Sequence, residues 1–242
     1  MSGAADSLSA ARIDAAQLLL RTPADALASY FALEHDARRT RLFVRSDASG
    51  RAAAFVAICQ TGIDLFRPLA VMRARDDDAL RELLREALQP GRHYLLSALP
   101  SLQPVIADAC HLHGDAVNAV YALSAADFKP VPNILVSSSR TPDGLLRATI
   151  AARSGDNAAE AGVSWISTRF AEIYVQVAES VRRRGLGKSV VSSLCSEILV
   201  RGRTPIYVTA TDNVASQKLA ERIGFAHTNA FELTGAIELK KP

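Results

Sequence analysis

Cysteine is scarce and odd in number: Cys59, Cys110 and Cys195 lie far apart in a chain of 242 residues. A disulfide framework is therefore not expected, and a reducing compartment fits. Long apolar runs are missing too; none approaches the roughly 20 residues that a membrane helix needs. Residues 1–10 have no basic start leading into an apolar run, so no secretory signal is expected. Lysine occurs only at Lys129, Lys188, Lys218, Lys240 and Lys241, so the basic residues are mostly arginine. Nor is there an excess of charge. A net charge of +3 gives no ground for a nucleic-acid partner, and any basic site must be local. With 49% hydrophobic and 22% charged residues, wholesale disorder is excluded. A cytoplasmic globular protein is expected, with no membrane partner, built as one large domain or two small ones at about 150 residues per domain.

The hydrophobic pattern gives helix over residues 6–34, then strands over 41–45 and 52–59 joined by a turn of hairpin composition, Asp47 to Gly50. A short apolar run over 65–72 is followed by an amphipathic helix over 76–88, with Leu80, Leu83, Leu84 and Leu88 on one face and acids in its first turn. A strand over 93–98, a helix over 102–112 closed by Gly114, and a strand over 116–123 complete this half. Residues 126–133, with Pro130 and Pro132, read as a linker between a domain over 1–125 and another over 134–242. Strands are expected there over 134–138, 145–153, 158–166, 171–177, 205–210 and 225–233, with helices over 185–200 and 213–223. Both halves carry strand, helix, Gly-Arg pair, strand, helix, glycine and strand. The pairs are Gly91-Arg92 and Gly202-Arg203, and the closing glycines, Gly114 and Gly224, follow at 23 and 22 residues. This reads as a tandem repeat of one α/β unit. A single mixed sheet with coincidental punctuation is the competing reading.

One segment carries chemistry. A strand starting near Glu172 runs into a turn containing Arg182, Arg183, Arg184, Gly185, Leu186, Gly187 and Lys188, which opens a helix. The glycines let backbone approach a ligand closely, and the first helical N–H groups have no intrahelical partner. Such a turn suits an anion, and several donors with several cations suit a diphosphate better than one carboxylate. Gly187-Lys188-Ser189 ends like a P-loop. That pattern needs another glycine five residues earlier, where Arg182 stands, so the surviving motif is Arg-x-x-Gly-x-Gly.

On these residues the C-terminal half resembles the GNAT superfamily of acyl-CoA-dependent N-acetyltransferases, and is most similar to the branch called FR47-like. The turn from Arg182 to Gly187 matches the superfamily's pyrophosphate motif. The run from Asn213 to Gly224-Phe225 matches its second signature, and a strand separates the two. The resemblance covers about residues 134–239. It implies an α/β protein with α+β mixed sheets, a tandem GNAT-like acyl-CoA N-acyltransferase fold, mostly antiparallel and flanked by helices. It also implies acetyl-CoA as co-substrate, no metal, and a small-molecule or peptide amine as acceptor; a homodimer is compatible with it.

By the same resemblance, Gln176 and Val177 would pair with the pantetheine arm, and residues 182–188 would hold the diphosphate. Asn213 would contact the phosphate or pantetheine arm, or cap its helix, or both. Ser216 would face the cofactor or lie idle on the surface. Glu172 would take the proton from the amine, directly or through one water; an exposed, idle glutamate is the alternative. Glu179, among the arginines, is a poorer base. Where many relatives have a tyrosine to protonate the leaving thiolate, this chain has Ala220, with Tyr207 or Ser216 as substitutes. The first half has Arg73 to Asp78 where the turn should be, with no glycine and three acids, so it is not expected to bind CoA. A non-catalytic acyl-CoA-binding or scaffolding module is the first alternative function, and a P-loop nucleotide hydrolase the second. His111 and His113 lack a third ligand nearby, so no metal site is expected.

Overall fold

The computed structural model describes residues 2–62, 64–152 and 156–241. Two compact units result: Met1–Asn118 with Phe231–Pro242, and Ala119–Ala230. Among the described residues no helix is long and apolar enough to cross a membrane.

The first unit contains α1 (Ser2–Ala15), α2 (Ala26–Ser29) running into a single π-turn, β1 (Thr40–Ser46), β2 (Ala52–Cys59), β3 (Leu69–Ala74), α3 (Asp77–Ala87), β4 (His93–Ala98), α4 (Gln103–Ala109) and the start of β5 (Cys110–Ala122). β1 and β2 form the expected hairpin. The Asp47 carboxylate accepts the N–H groups of Ser49 at 2.8 Å and Arg51 at 3.1 Å, and Gly50 takes the left-handed conformation at φ 78°. β2 is buried along its whole length. Asp76 caps α3 by accepting the Ala79 N–H at 2.8 Å, and Leu80, Leu83 and Leu84 are buried against the sheet. Each such leucine contributes about 1.5–3 kcal/mol.

The second unit contains the end of β5, then β6 (Ser137–Arg140), β7 (Leu146–Ala151), β8 (Asn157–Ile166), β9 (Phe170–Val177), α5 (Leu186–Val200), β10 (Thr204–Ala210), α6 (Val214–Ile223) and the start of β11 (Ala226–Leu239). Its strand order is β5-β10-β9-β8-β7-β6; that of the first unit is β1-β2-β3-β4-β11. In both units a parallel pair sits among antiparallel neighbours, β3 with β4 and β9 with β10. Gly91 and Gly202 precede β4 and β10 at φ 78° and 71°. The tandem α/β architecture read from the sequence holds. The end of β11 pairs with β4 from Leu233 opposite Ala98 to Glu238 opposite His93, so the last strand of the chain serves the first unit. Residues 126–133 lie within the second unit, where the Val131 N–H donates to Ser192 Oγ at 2.8 Å.

Four expectations differ from the structure. The helix over 6–34 is broken at residues 19–22, where Leu19 is extended and Arg21 takes a positive φ of 52°. The helix over 102–112 stops at Ala109, because Cys110 is extended and buried in the core, and Gly114 lies inside β5 rather than closing the helix. The strand over 134–138 starts only at Ser137. Asn133 Oδ1 accepts the Leu135 N–H at 2.9 Å and turns the chain, leaving Ile134 fully exposed. β7 ends at Ala151, and the expected strand end at Arg153 lies outside the described residues.

Candidate functional site

β9 alternates. Val175 and Val177 face α5, as shown by their approach to Gly187, while Glu172, Tyr174 and Gln176 occupy the other face. Parallel pairing with β10 runs from Phe170 opposite Thr204 to Ile173 opposite Tyr207 and goes no further, although both strands continue. Beyond that point the β10 side of residues 174–177 is free of strand pairing, while the other side stays in register with β8 through Val177. Gln176 is exposed and Val177 half-buried on this open edge.

The strand then enters the arginine turn. Arg183 and Gly185 both take left-handed conformations, at φ 64° and 80°. Gly185 caps α5 without a side chain, so the amides of Leu186, Gly187 and Lys188 open the helix with no side-chain acceptor. Arg183 and Arg184 are exposed and Lys188 half-buried, and none has an ion-pair partner among the described residues. Arg182 is different: its Nη1 lies 3.1 Å from Glu179 Oε1 and its Nε donates to the Val177 carbonyl at 3.4 Å, which ties it back to the strand. Gly187 is buried. A Cβ there would meet Val177 Cγ2 at 3.0 Å and Leu219 Cδ1 at 3.2 Å, so this glycine serves the packing of α5 onto β9 and α6.

Asn213 is the N-cap of α6, its Oδ1 accepting the Ser216 N–H at 3.1 Å. Ser216 Oγ in turn lies 2.5 Å from the Tyr207 hydroxyl. Ser216 and Ala220 stand one turn apart on one helix face, and Ala220 is fully buried. Burial raises the phenol of Tyr207 above its ordinary value, Ser216 working against it. A phenol thus reaches the helix face that carries Ala220, but from β10.

On the opposite face of β9, the half-buried Glu172 carboxylate accepts the indole N–H of Trp165, which a bulge at Ser164 turns beside it. Further along, the Tyr174 hydroxyl donates to Glu160 Oε1 at 2.7 Å, Asn157 Nδ2 donates to Glu160 Oε2 at 2.8 Å, and Arg147 Nε lies 3.4 Å from Glu160 Oε1. Burial and then Glu160 raise the Tyr174 phenol, with Arg147 opposing. Sequence reasoning passed over this cluster; its one visible signal was Gly162 inside a strand pattern. His111 and His113 stack at 6.4 Å on β5, and among the described residues no group of three ligands gathers. Cys195 packs in the core of α5, where burial pushes its thiol well up.

The first unit has the corresponding divergence, since β3 pairs with β4 only from Leu69 to Val71. There Arg73 fills the space. Buried with 2% of its side chain exposed, it is ion-paired to Asp25 at 3.0 Å and to Glu232, whose other oxygen accepts the Ser97 hydroxyl at 2.9 Å.

Residues 155–232 match the family model described as FR47-like protein. A GNAT-family acetyltransferase from Colwellia psychrerythraea is 14% identical over 98% of this chain and 97% of its own, with a TM-score of 0.57. A GCN5-related N-acetyltransferase-like protein from Streptococcus suis is 16% identical over 96% of this chain and 100% of its own, with a TM-score of 0.60. A tandem GNAT protein from the clavulanic acid biosynthesis pathway is 17% identical over 100% and 96%, with a TM-score of 0.57. The fold is therefore the tandem GNAT fold, with an FR47-like segment in the second unit. No curated protein matches the chain.

Proposed function

We propose that the second unit transfers an acetyl group from acetyl-CoA to an amine. The observation that carries this reading is the end of β9–β10 pairing at Ile173 and Tyr207, followed directly by a turn of uncapped amides and free cations. The diphosphate of CoA would lie on the amides of Leu186 to Lys188, with Arg183, Arg184 and Lys188 around it and Arg182 steadying the turn. The pantetheine arm would add to the open edge of β9 at Gln176 and Val177, beside Asn213 and Ser216.

The thioester supplies the acyl group. Glu172 accepts the proton of the incoming amine, directly or through one water, and Trp165 holds the carboxylate in place. The amine nitrogen bonds to the acyl carbon as the carbon–sulfur bond breaks, and charge developing on the acyl oxygen is met by a backbone N–H near Val177. The departing thiolate takes a proton from the Tyr207–Ser216 hydroxyl pair. Because burial holds the Tyr207 phenol above its ordinary value, it carries that proton throughout the neutral range.

Ala220 favours a second reading, a module that binds acyl-CoA without turnover. Release of CoA over a panel of amines tests the two: turnover on any amine supports transfer, while tight CoA binding with none supports the module. Displacement of CoA by ATP would favour the nucleotide reading over both.

A further inference from the structure

We propose that the acceptor carries a carboxylate several bonds from its reacting amine, and that Arg147 on β7 binds that carboxylate. This deepens the N-acetyltransferase reading and rests on it.

The register sets Arg147 opposite Gly162 and Gly162 opposite Tyr174, so the three form one row across β7, β8 and β9 on the face away from α5. The row is built rather than incidental. A Cβ at Gly162 would fall 2.5 Å from the Tyr174 hydroxyl, so the tyrosine ring can lie across β8 only over a glycine. Both oxygens of Glu160 are engaged, by Tyr174, Arg147 and Asn157, and its side chain is only 16% exposed. Glu160 therefore does not serve as an anchor for an amine; it fixes Tyr174 and Arg147. Arg147 remains 38% exposed, its buried Nε lies 3.4 Å from Glu160 Oε1 without a hydrogen bond, and the guanidinium offers its exposed edge to a second, planar partner. A carboxylate fits that edge in geometry and charge.

Glu172 lies two residues along β9 from Tyr174 on the same face. At about 4.8 Å between strands and about 3.4 Å per residue, its Cα stands about 12 Å from that of Arg147. Allowing for the two side chains, an acceptor stretched across the Tyr174 ring spans the gap. Its amine end meets the carboxylate of Glu172 and its acid end meets Arg147. A short ω-amino acid has that separation, whereas an α-amino group beside its own carboxylate does not.

The test compares kcat/KM for 6-aminohexanoate and hexylamine at saturating acetyl-CoA, in the full chain and in Arg147→Gln, with CoA affinity as the check on folding. The full chain is expected to prefer 6-aminohexanoate by about ten- to a hundredfold, the worth of one charge-assisted pair. Arg147→Gln should bring the ratio close to one. Equal use of the two amines, or a preference that survives the substitution, overturns the proposal and leaves the transferase reading standing. Turnover of neither amine with acetyl-CoA bound counts against the transferase reading. The proposal is then decided by NMR titration with 6-aminohexanoate, where binding that does not depend on Arg147 overturns it.

Discussion

The ring of Tyr174 lies over Gly162, where even a methyl group would fall 2.5 Å from the tyrosine hydroxyl. Gly162→Ala must therefore displace the ring, break its bond to Glu160, or both. A cost of about 1–3 kcal/mol is expected, typical of overpacking a filled site. Thermal unfolding would show it as a lower Tm, and Tyr174→Ala combined with Gly162→Ala should cost less than the two single changes summed. Additive effects would mean that the two residues do not constrain one another.

The role proposed for the exposed pair Arg183 and Arg184 is to hold the phosphates and not the acyl arm. Replacing both by glutamine should weaken discrimination between acetyl-CoA and acetyl-pantetheine by about tenfold or more, as loss of charge-assisted contacts predicts. The ratio of kcat/KM for the two donors reads this directly. An unchanged ratio would place the diphosphate elsewhere.

Tyr207→Phe keeps the ring and removes only the hydroxyl that meets Ser216 at 2.5 Å. If this pair supplies the leaving-group proton, kcat should fall by about ten- to a hundredfold or more with little change in KM for acetyl-CoA. A loss confined to KM would assign the pair to cofactor binding.

How much of this was legible in the sequence differs residue by residue. The arginine turn, the strand–helix–strand order around it and the capping role of Asn213 were readable because spacing and residue type alone impose them. Gly187 was expected to let a ligand approach the backbone closely; the groups that approach it in the structure are Val177 and Leu219. The end of the β9–β10 pairing leaves no mark on composition, since Tyr174 to Val177 alternate as any strand would. Arg147, Glu160 and Tyr174 come from three strands, and only tertiary register brings them into one row. Likewise Cys110 left its helical pattern for β5 because the sheet bonds and the core contacts outweigh local periodicity.

In the first unit Arg73, just beyond the end of the β3–β4 pairing, bridges two carboxylates. Arg73→Met leaves Asp25 and Glu232 buried without their partner, at a cost of about 3–5 kcal/mol. Urea unfolding measures it; a change below about 1 kcal/mol would show the pair to be dispensable.

His35 is buried against Thr40, 2.7 Å away, and burial pushes its imidazole below the ordinary value of 6.5, with Asp36 opposing and Arg39 and Arg12 assisting. A depressed histidine favours the folded state above its ordinary value, and that contribution is lost as pH falls from there through the folded value. The denaturation midpoint should therefore drop on acidification from neutral pH, and His35→Gln should flatten the drop. A midpoint that rises on acidification would reverse the sign assigned to this group.

Calorimetric titration of CoA into the full chain, alongside the Arg183→Gln, Arg184→Gln, Lys188→Gln triple variant, bears most directly on the turn at the start of α5. One equivalent should bind per chain, because the first unit's divergence is filled by Arg73, and affinity should fall sharply in the variant. Two equivalents, none, or an affinity indifferent to the three cations would contradict the assignment.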